Sequence, residues 1–452
     1  MAKEPSHKDP MRLSKADAID QPHDQRPTWK SLLKDRAILS WALYDWGNSA
    51  FATSVVAGFF PVFFKQYWSA GTDANVSTYH LGLANSAASL TLALLSPILG
   101  AIADQASSKK RLLITFAFMG ITATGALSLI AKGEWFLAAL LFVIATLGFN
   151  GGNGLYDALL GAVSKPRDFD RVSALGFGLG YLGGGLLFTL NVAMTLKPQF
   201  FGLKDMAEAV RFSFLTVAVW WALFTIPLLL WVHEPANNRP KLTSIQAALA
   251  GIRDVFRTIR ELKGMKNLTF FLLAYFFYID GVNTIIRMAV DYGLALNFTA
   301  QDLMAALLLT QFVAFPAAIA YGQLAYRIGA KLSLQISIVA YCGVTIFAYF
   351  LAHAWQFYAL AVVIGLFQGG IQALSRSVYA SMIPQNKTGE FFGFFNMLGK
   401  FSSVVGPFMV GWVSAWSGDS RASVLTLLLL FFIGFTILSF VSLDDRSRGL
   451  EN

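Results

Sequence analysis

At 452 residues, with 56% apolar and only 13% charged side chains, the chain carries about half the charge of an ordinary soluble domain. Its 40 Phe and 11 Trp exceed what one folded interior could hide, so lipid must cover much of the surface, and a soluble enzyme is excluded. A single cysteine, Cys342, set in an apolar stretch, excludes a secreted disulfide scaffold, and the +9 formal charge is better explained by membrane topology than by a nucleic-acid surface.

Residues 1–36 are polar, hold four of the 14 prolines and lack an apolar core, which predicts a disordered tail rather than a signal peptide. Twelve apolar segments of membrane-spanning length follow. They run Ala37 to Phe64, Tyr79 to Ala103, Leu112 to Ala131, Trp135 to Val163, Ser173 to Leu196 and Phe212 to Val232 in the first half. In the second they run Leu268 to Tyr292, Leu303 to Tyr326, Leu332 to Ala352, Trp355 to Ile383, Phe391 to Trp416 and Ala422 to Leu443. The expected organisation is a tail (1–36), a six-helix half (37–232), a linker (233–266), a second six-helix half (267–443) and a short tail (444–452).

With the N-terminus placed in the cytoplasm, 26 of the 35 Lys and Arg fall on that side and six on the other, which predicts cytoplasmic termini by the positive-inside rule. In the linker Leu242, Ile245, Leu249, Ile252, Phe256 and Ile259 recur at steps of three and four, with Arg253, Arg257 and Arg260 on another face. That pattern fits an interfacial amphipathic helix and a solvated linker helix equally.

The halves repeat one another. Asp45-Trp-Gly-Asn48 in span one corresponds to Asp280-Gly-Val-Asn283 in span seven, and Phe149-Asn-Gly-Gly152 in span four to Phe367-Gln-Gly-Gly370 in span ten. Pro166 and Pro384 keep the second offset of 218. Spans 1, 4, 7 and 10 therefore read as equivalent positions of a six-plus-six duplication, which resembles the parallel repeat of major facilitator transporters.

Gly100-Ala-Ile-Ala-Asp104, followed by Lys109, Lys110 and Arg111, and Gly322-Gln-Leu-Ala-Tyr326-Arg327-Ile-Gly329-Ala-Lys331 both resemble the major facilitator loop signature. Tyr326 replaces the acid in the second copy, so a latch is expected at Asp104 rather than there. Leu43-Tyr-Asp-Trp-Gly-Asn-Ser-Ala-Phe-Ala-Thr53, Tyr278-Ile-Asp-Gly-Val-Asn-Thr284, Gly369-Gly-Ile-Gln-Ala-Leu-Ser-Arg-Ser377 and Glu390-Phe-Phe-Gly393 resemble the vacuole effluxer family, the autophagy-related amino-acid permeases and their bacterial relatives. The resemblance implies a multi-spanning permease of the major facilitator fold; amino-acid export from the vacuole is described for the fungal members.

Charges at membrane depth cost on the order of 3 kcal/mol or more each unless they pair or face water. Six lie well inside the spans, away from their ends: Asp45, Asp157, Asp280, Arg287, Arg376 and Lys400. Helical spacing puts Trp41, Asp45 and Asn48 on one face, and likewise Asn150, Asn153 and Asp157; Asp280, Asn283 and Arg287; and Gln368, Gln372 and Arg376. Asn396 shares a face with Lys400. In the resembled fold these four spans line a central path. The candidate substrate or proton cavity is accordingly Asp45, Asn48, Asn150, Asn153, Asp280, Asn283, Arg287, Gln368, Gln372 and Lys400. The candidate cytoplasmic gate is Asp104, Arg111, Asp157, Arg327, Arg376 and Glu390. The competing reading is that these groups only pair to fasten the halves together. The glycine-dense Gly176–Gly185 stretch lies inside a span, so it reads as close helix contact and not a nucleotide loop. Pro61, Pro97, Pro227, Pro316 and Pro407 read as kinks.

The expectation is an all-α transporter with no cofactor and no metal, working by alternating access in a lipid bilayer as a monomer. Its solute is small and zwitterionic, an amino acid, with protons as a possible coupling ion; a bacterial inner membrane fits better than a vacuolar one. An organic anion or another small solute is the nearest alternative, and a non-transporting receptor or scaffold the alternative from another class.

Overall fold

The computed structural model describes residues 29–72, 74–106, 108–234, 253, 257–258, 260–262, 264–296, 298–417 and 420–443. Among these the regular elements are helical. Twelve long helices are numbered α1 (Arg36–Trp68), α2 (Ala74–Ala106), α3 (Lys109–Ala126), α4 (Trp135–Ala158), α5 (Phe169–Leu196), α6 (Met206–Trp231), α7 (Lys266–Ala295), α8 (Ala300–Ile328), α9 (Ala330–Tyr349), α10 (Ala354–Met382), α11 (Thr388–Ser417) and α12 (Leu427–Ser439).

Among the described residues eleven helical stretches are long and apolar enough to cross a membrane. The remaining one, α11, has 30 residues, ample length at about 1.5 Å per residue, but Lys400 and its neighbouring serines and glycines dilute its hydropathy. The last expected span is interrupted: Ser420–Val424 is a short helix of its own, and two turn residues separate it from α12. The tail expectation also needs correction, because Trp29–Lys34 forms a helix that buries Leu32. Residues 1–28 and 444–452 and most of the expected linker helix lie outside the described residues.

The five prolines expected to kink the spans sit in two settings. Pro97, Pro227, Pro316 and Pro407 sit within continuous helices. Before Pro61, α1 widens into π geometry over Phe51–Phe59, and the Phe60 N–H donates to the carbonyl of Val55, five residues back. A wider turn makes room where a proline ring would collide with the carbonyl four residues before it.

In the first half α1 packs on α5 and α6, and α3 on α4 and α6; in the second α7 packs on α11 and α12, and α8 and α9 on α10. The halves meet where α2 packs on α11 and where α5 packs on α8 and α10. Glycines allow this closeness. A Cβ on Gly100 would overlap the Gly389 carbonyl, one on Gly183 the Trp46 carbonyl, and one on Gly178 would come within 3.2 Å of Ile319. The Gly176–Gly185 run thus serves α5 on both sides, against α1 of its own half and α8 of the other.

Candidate functional site

Between the halves lies a cavity of about 250 Å³. Its walls are Asp45 from α1; Phe149, Asn150, Asn153, Tyr156 and Asp157 from α4; Phe177 from α5; Tyr275, Ile279 and Asn283 from α7; Gln372 and Arg376 from α10; and Phe395, Asn396, Gly399 and Lys400 from α11. The charged members are two carboxylates and two cations.

Arg376 is the most constrained of them. Its Nη1 donates to Asp157 Oδ1 at 2.9 Å, its Nε to the Ser173 hydroxyl at 2.8 Å and its Nη2 to the Ser173 carbonyl at 2.8 Å. Phe177 and Trp41 flank the guanidinium, with ring centroids 4.3 and 4.8 Å from its carbon. Trp41 is itself fixed by stacking on Tyr156 and by donating to the Tyr156 carbonyl at 3.0 Å. A planar, five-donor cation in such a frame joins α10 of one half to α4 and α5 of the other.

Among the described residues Lys400 pairs with no carboxylate. Its Nζ donates to Asn150 Oδ1 at 2.7 Å, again across the halves. Asp45 accepts a 3.2 Å bond from Ser49 at Oδ1, and its buried Oδ2 has no hydrogen-bond partner in good geometry among the described residues, although the Tyr156 hydroxyl and the Arg376 charge stand near it. A buried carboxylate oxygen left so is costly unless something else binds there. Gln372 is held by the Tyr181 hydroxyl, which donates at 2.6 Å.

At the end of the bundle that carries the N-terminal tail, the halves are clasped. Asp104 accepts from the backbone N–H of Gly389 at 3.0 Å and of Glu390 at 2.7 Å, at the start of α11, and pairs with Lys109 at 2.6 Å. The carboxylate so meets the unsatisfied amides and positive dipole end of α11. Across the pseudo-dyad the clasp is built otherwise. Arg171 lies over the Tyr326 ring at 4.0 Å and donates to Gln323 at 2.9 Å, and Ser377 donates to Asp170 at 2.5 Å. The described end of the linker adds an ion pair, Lys387 to Glu261 at 2.6 Å.

Several expected residues stand elsewhere. Asp280 is fully buried away from the cavity, accepting from the Gly406 N–H at 2.7 Å and from Thr284 at 3.4 Å, because its side of α7 faces α11 while that of Asn283 faces the cavity. Arg287 does not line the cavity and is exposed. Asn48 lies behind the wall, donating to Asn153 at 2.6 Å, and Gln368 lines a different, apolar cavity. Arg111 and Arg327 are exposed, and Lys109 and Arg171 make the contacts expected of them. The sequence reading missed Tyr156, Phe177, Tyr275, Phe395, Ser173 and Tyr181, since aromatic and hydroxyl side chains in an apolar span look like core.

The family described as "Vacuole effluxer Atg22 like" matches residues 34–165 and 161–450. An "Uncharacterized MFS-type transporter YxiO" of Bacillus subtilis (strain 168) is 39% identical over 406 residues, covering 89% of this chain and 94% of that protein. Autophagy-related protein 22 of Eremothecium gossypii is 24% identical over 480 residues, covering 92% of each. Among solved structures, the human organic anion transporter MFSD10 (TETRAN) superposes with a TM-score of 0.70 at 15% identity, over 89% of this chain and 99% of that one. The major facilitator transporter FucP, in its outward conformation, gives 0.67 at 16% identity, over 90% and 98%. The chain is therefore an integral membrane transporter of the major facilitator superfamily, not an enzyme, and belongs to the vacuole effluxer Atg22-like family.

Proposed function

We propose that the protein is a secondary carrier for a zwitterionic amino acid, bound between Asp45 and Lys400 in the central cavity. The observation that carries this reading is the charge arrangement there. Asp157 and Arg376 neutralise each other at 2.9 Å, which leaves one carboxylate and one ammonium, each without a charged partner in contact, on helices of opposite halves. A ligand with both charges complements both groups; an anion such as those of MFSD10 would leave Asp45 repelled and unpaired. The amino-acid export implied by the motif resemblance to the vacuole effluxer family is consistent with this cargo.

The clasps at Asp104 and Arg171 close the tail end, so we read this arrangement as the state open toward the opposite side, one of the two that alternating access requires. Rocking would break these clasps and open the cavity to the tail side. The excess of Lys and Arg on the tail side supports cytoplasmic termini, and the Bacillus relative favours a bacterial inner membrane. The cavity is complete within one chain, so the monomer suffices.

Asp45 also supplies a coupling device. A proton and the substrate's ammonium compete for the same carboxylate, which makes the carrier a proton–substrate exchanger. The test is uptake of labelled neutral amino acids into proteoliposomes of the purified chain, with and without an imposed pH gradient. Wild type should respond to the gradient and Asp45→Asn should not; equal uptake at every gradient in both removes proton coupling, and no uptake of any amino acid removes the substrate assignment.

A further inference from the structure

We propose that a second cavity, inside the end of the C-terminal half remote from the tail, is a binding site for a small uncharged apolar molecule of about six heavy atoms. The cavity measures about 110 Å³ and lies among helices α7 to α12, next to the turn that interrupts the last span. Leu303, Phe357, Leu360 and Ile364, all buried, belong to an apolar cluster separate from the main core. No charged side chain lines it. Most of its polar groups are engaged with protein: the Thr310 hydroxyl donates to the Ala306 carbonyl at 2.9 Å, the Thr345 hydroxyl to the Tyr341 carbonyl at 2.8 Å, the Tyr292 hydroxyl to the Ala348 carbonyl at 2.8 Å, and the Gln311 amide to Thr53, while Gln368 stands at the edge. Water needs two to four polar partners, and the predominantly apolar wall offers few, whereas an apolar cavity of about 150 Å³ stays dry and takes benzene.

The equivalent place in the N-terminal half is filled by rings. Phe142 stacks on Phe60 at 3.9 Å, and Phe60 packs against Trp68 at 5.4 Å. The offset of 218 that relates span four to span ten carries Phe142 onto Leu360, which leaves in the second half a space where the first has an aromatic ring. The missing volume is thus ring-shaped in origin, and a free aromatic or branched-alkyl molecule matches it. Gln368 at its edge is one helical turn from Gln372 of the central cavity, so an occupant bears on helices that carry the substrate site.

The experiment is thermal unfolding of the purified full chain in detergent with benzene, with benzoate as a charged control. Ligand binding to the folded state raises the midpoint. The expected result is a saturable upward shift with benzene and none with benzoate. Leu360→Phe, which restores the ring of the other half, and Ala361→Leu, which also fills the space, should each abolish the benzene shift while keeping that of the wild type's amino-acid substrate. No shift with benzene, or the same shift in a folded filling variant, overturns the proposal; the latter marks benzene as acting through the micelle. Xenon density in this cavity of a pressurised crystal reads the site independently of either variant's folding, and its absence overturns the proposal too.

Discussion

Lys110 and Lys331 occupy the same post in the two halves. Lys110 Nζ donates to the carbonyls of Leu229 and Val232 at 2.7 Å, and Lys331 Nζ to those of Ser439 and Val441 at 2.8 Å. Each lysine is the second residue of the third helix of its half, and each caps the C-terminal end of the sixth. A cation there satisfies orphan carbonyls and the negative end of the helix dipole. The duplication inferred from short motifs in spans one, four, seven and ten thus extends to a contact those motifs do not include.

Replacing either lysine by Met should lower unfolding stability by about 1 kcal/mol, and the double variant by the sum, because the sites share no partner. Substrate binding should not change. Thermal unfolding with and without substrate checks both points.

Gly100→Ala should prevent closure at the tail end. Its Cβ would overlap the Gly389 carbonyl, backbone against backbone, so α2 and α11 must separate and Asp104 must release the start of α11. Transport should fall at least tenfold, with spin labels across α2 and α11 reporting a longer tail-end distance in the folded variant. Transport at the wild-type rate would contradict the clasp.

Arg376→Lys keeps the charge and should still fail. A lysine cannot bond Asp157 and both Ser173 oxygens together, nor present a flat face to Phe177 and Trp41. The expected outcome is at least a tenfold loss of transport, approaching that of Arg376→Gln, in proteoliposome uptake.

Arg111→Gln and Arg327→Gln should each transport at the wild-type rate. Both side chains are exposed, and substitutions at such surface positions usually change stability by less than about 0.5 kcal/mol. Uptake measured beside Lys109→Gln, which strips a cation from Asp104, makes the contrast.

Composition, loop charge and the repeated motifs make the helical bundle and its two halves legible in the sequence, because the bilayer imposes helix length and polarity directly. Helical spacing also singled out Asp45, Asn150, Asn153, Asn283, Gln372 and Lys400, which share one cavity. It could not tell which side of a helix faces the partner half. Asp280 and Asn283 are three residues apart, about 60° around the helix, and that angle sends one to α11 and the other to the cavity. Nor could it show that Tyr326, where the loop signature has an acid, receives Arg171 through its ring. A cation–π contact needs a partner distant in sequence, and no local pattern encodes it.

The measurement that bears most directly on the central claim is thermal stabilisation of the purified chain by three molecules that differ in one charge each: alanine, alaninamide and propionate. If Asp45 and Lys400 hold the two ends of a zwitterion, alanine alone raises the midpoint, and Asp45→Asn and Lys400→Gln each abolish the rise. A rise with propionate equal to that with alanine, unchanged in Asp45→Asn, would contradict it and make the cavity an anion site.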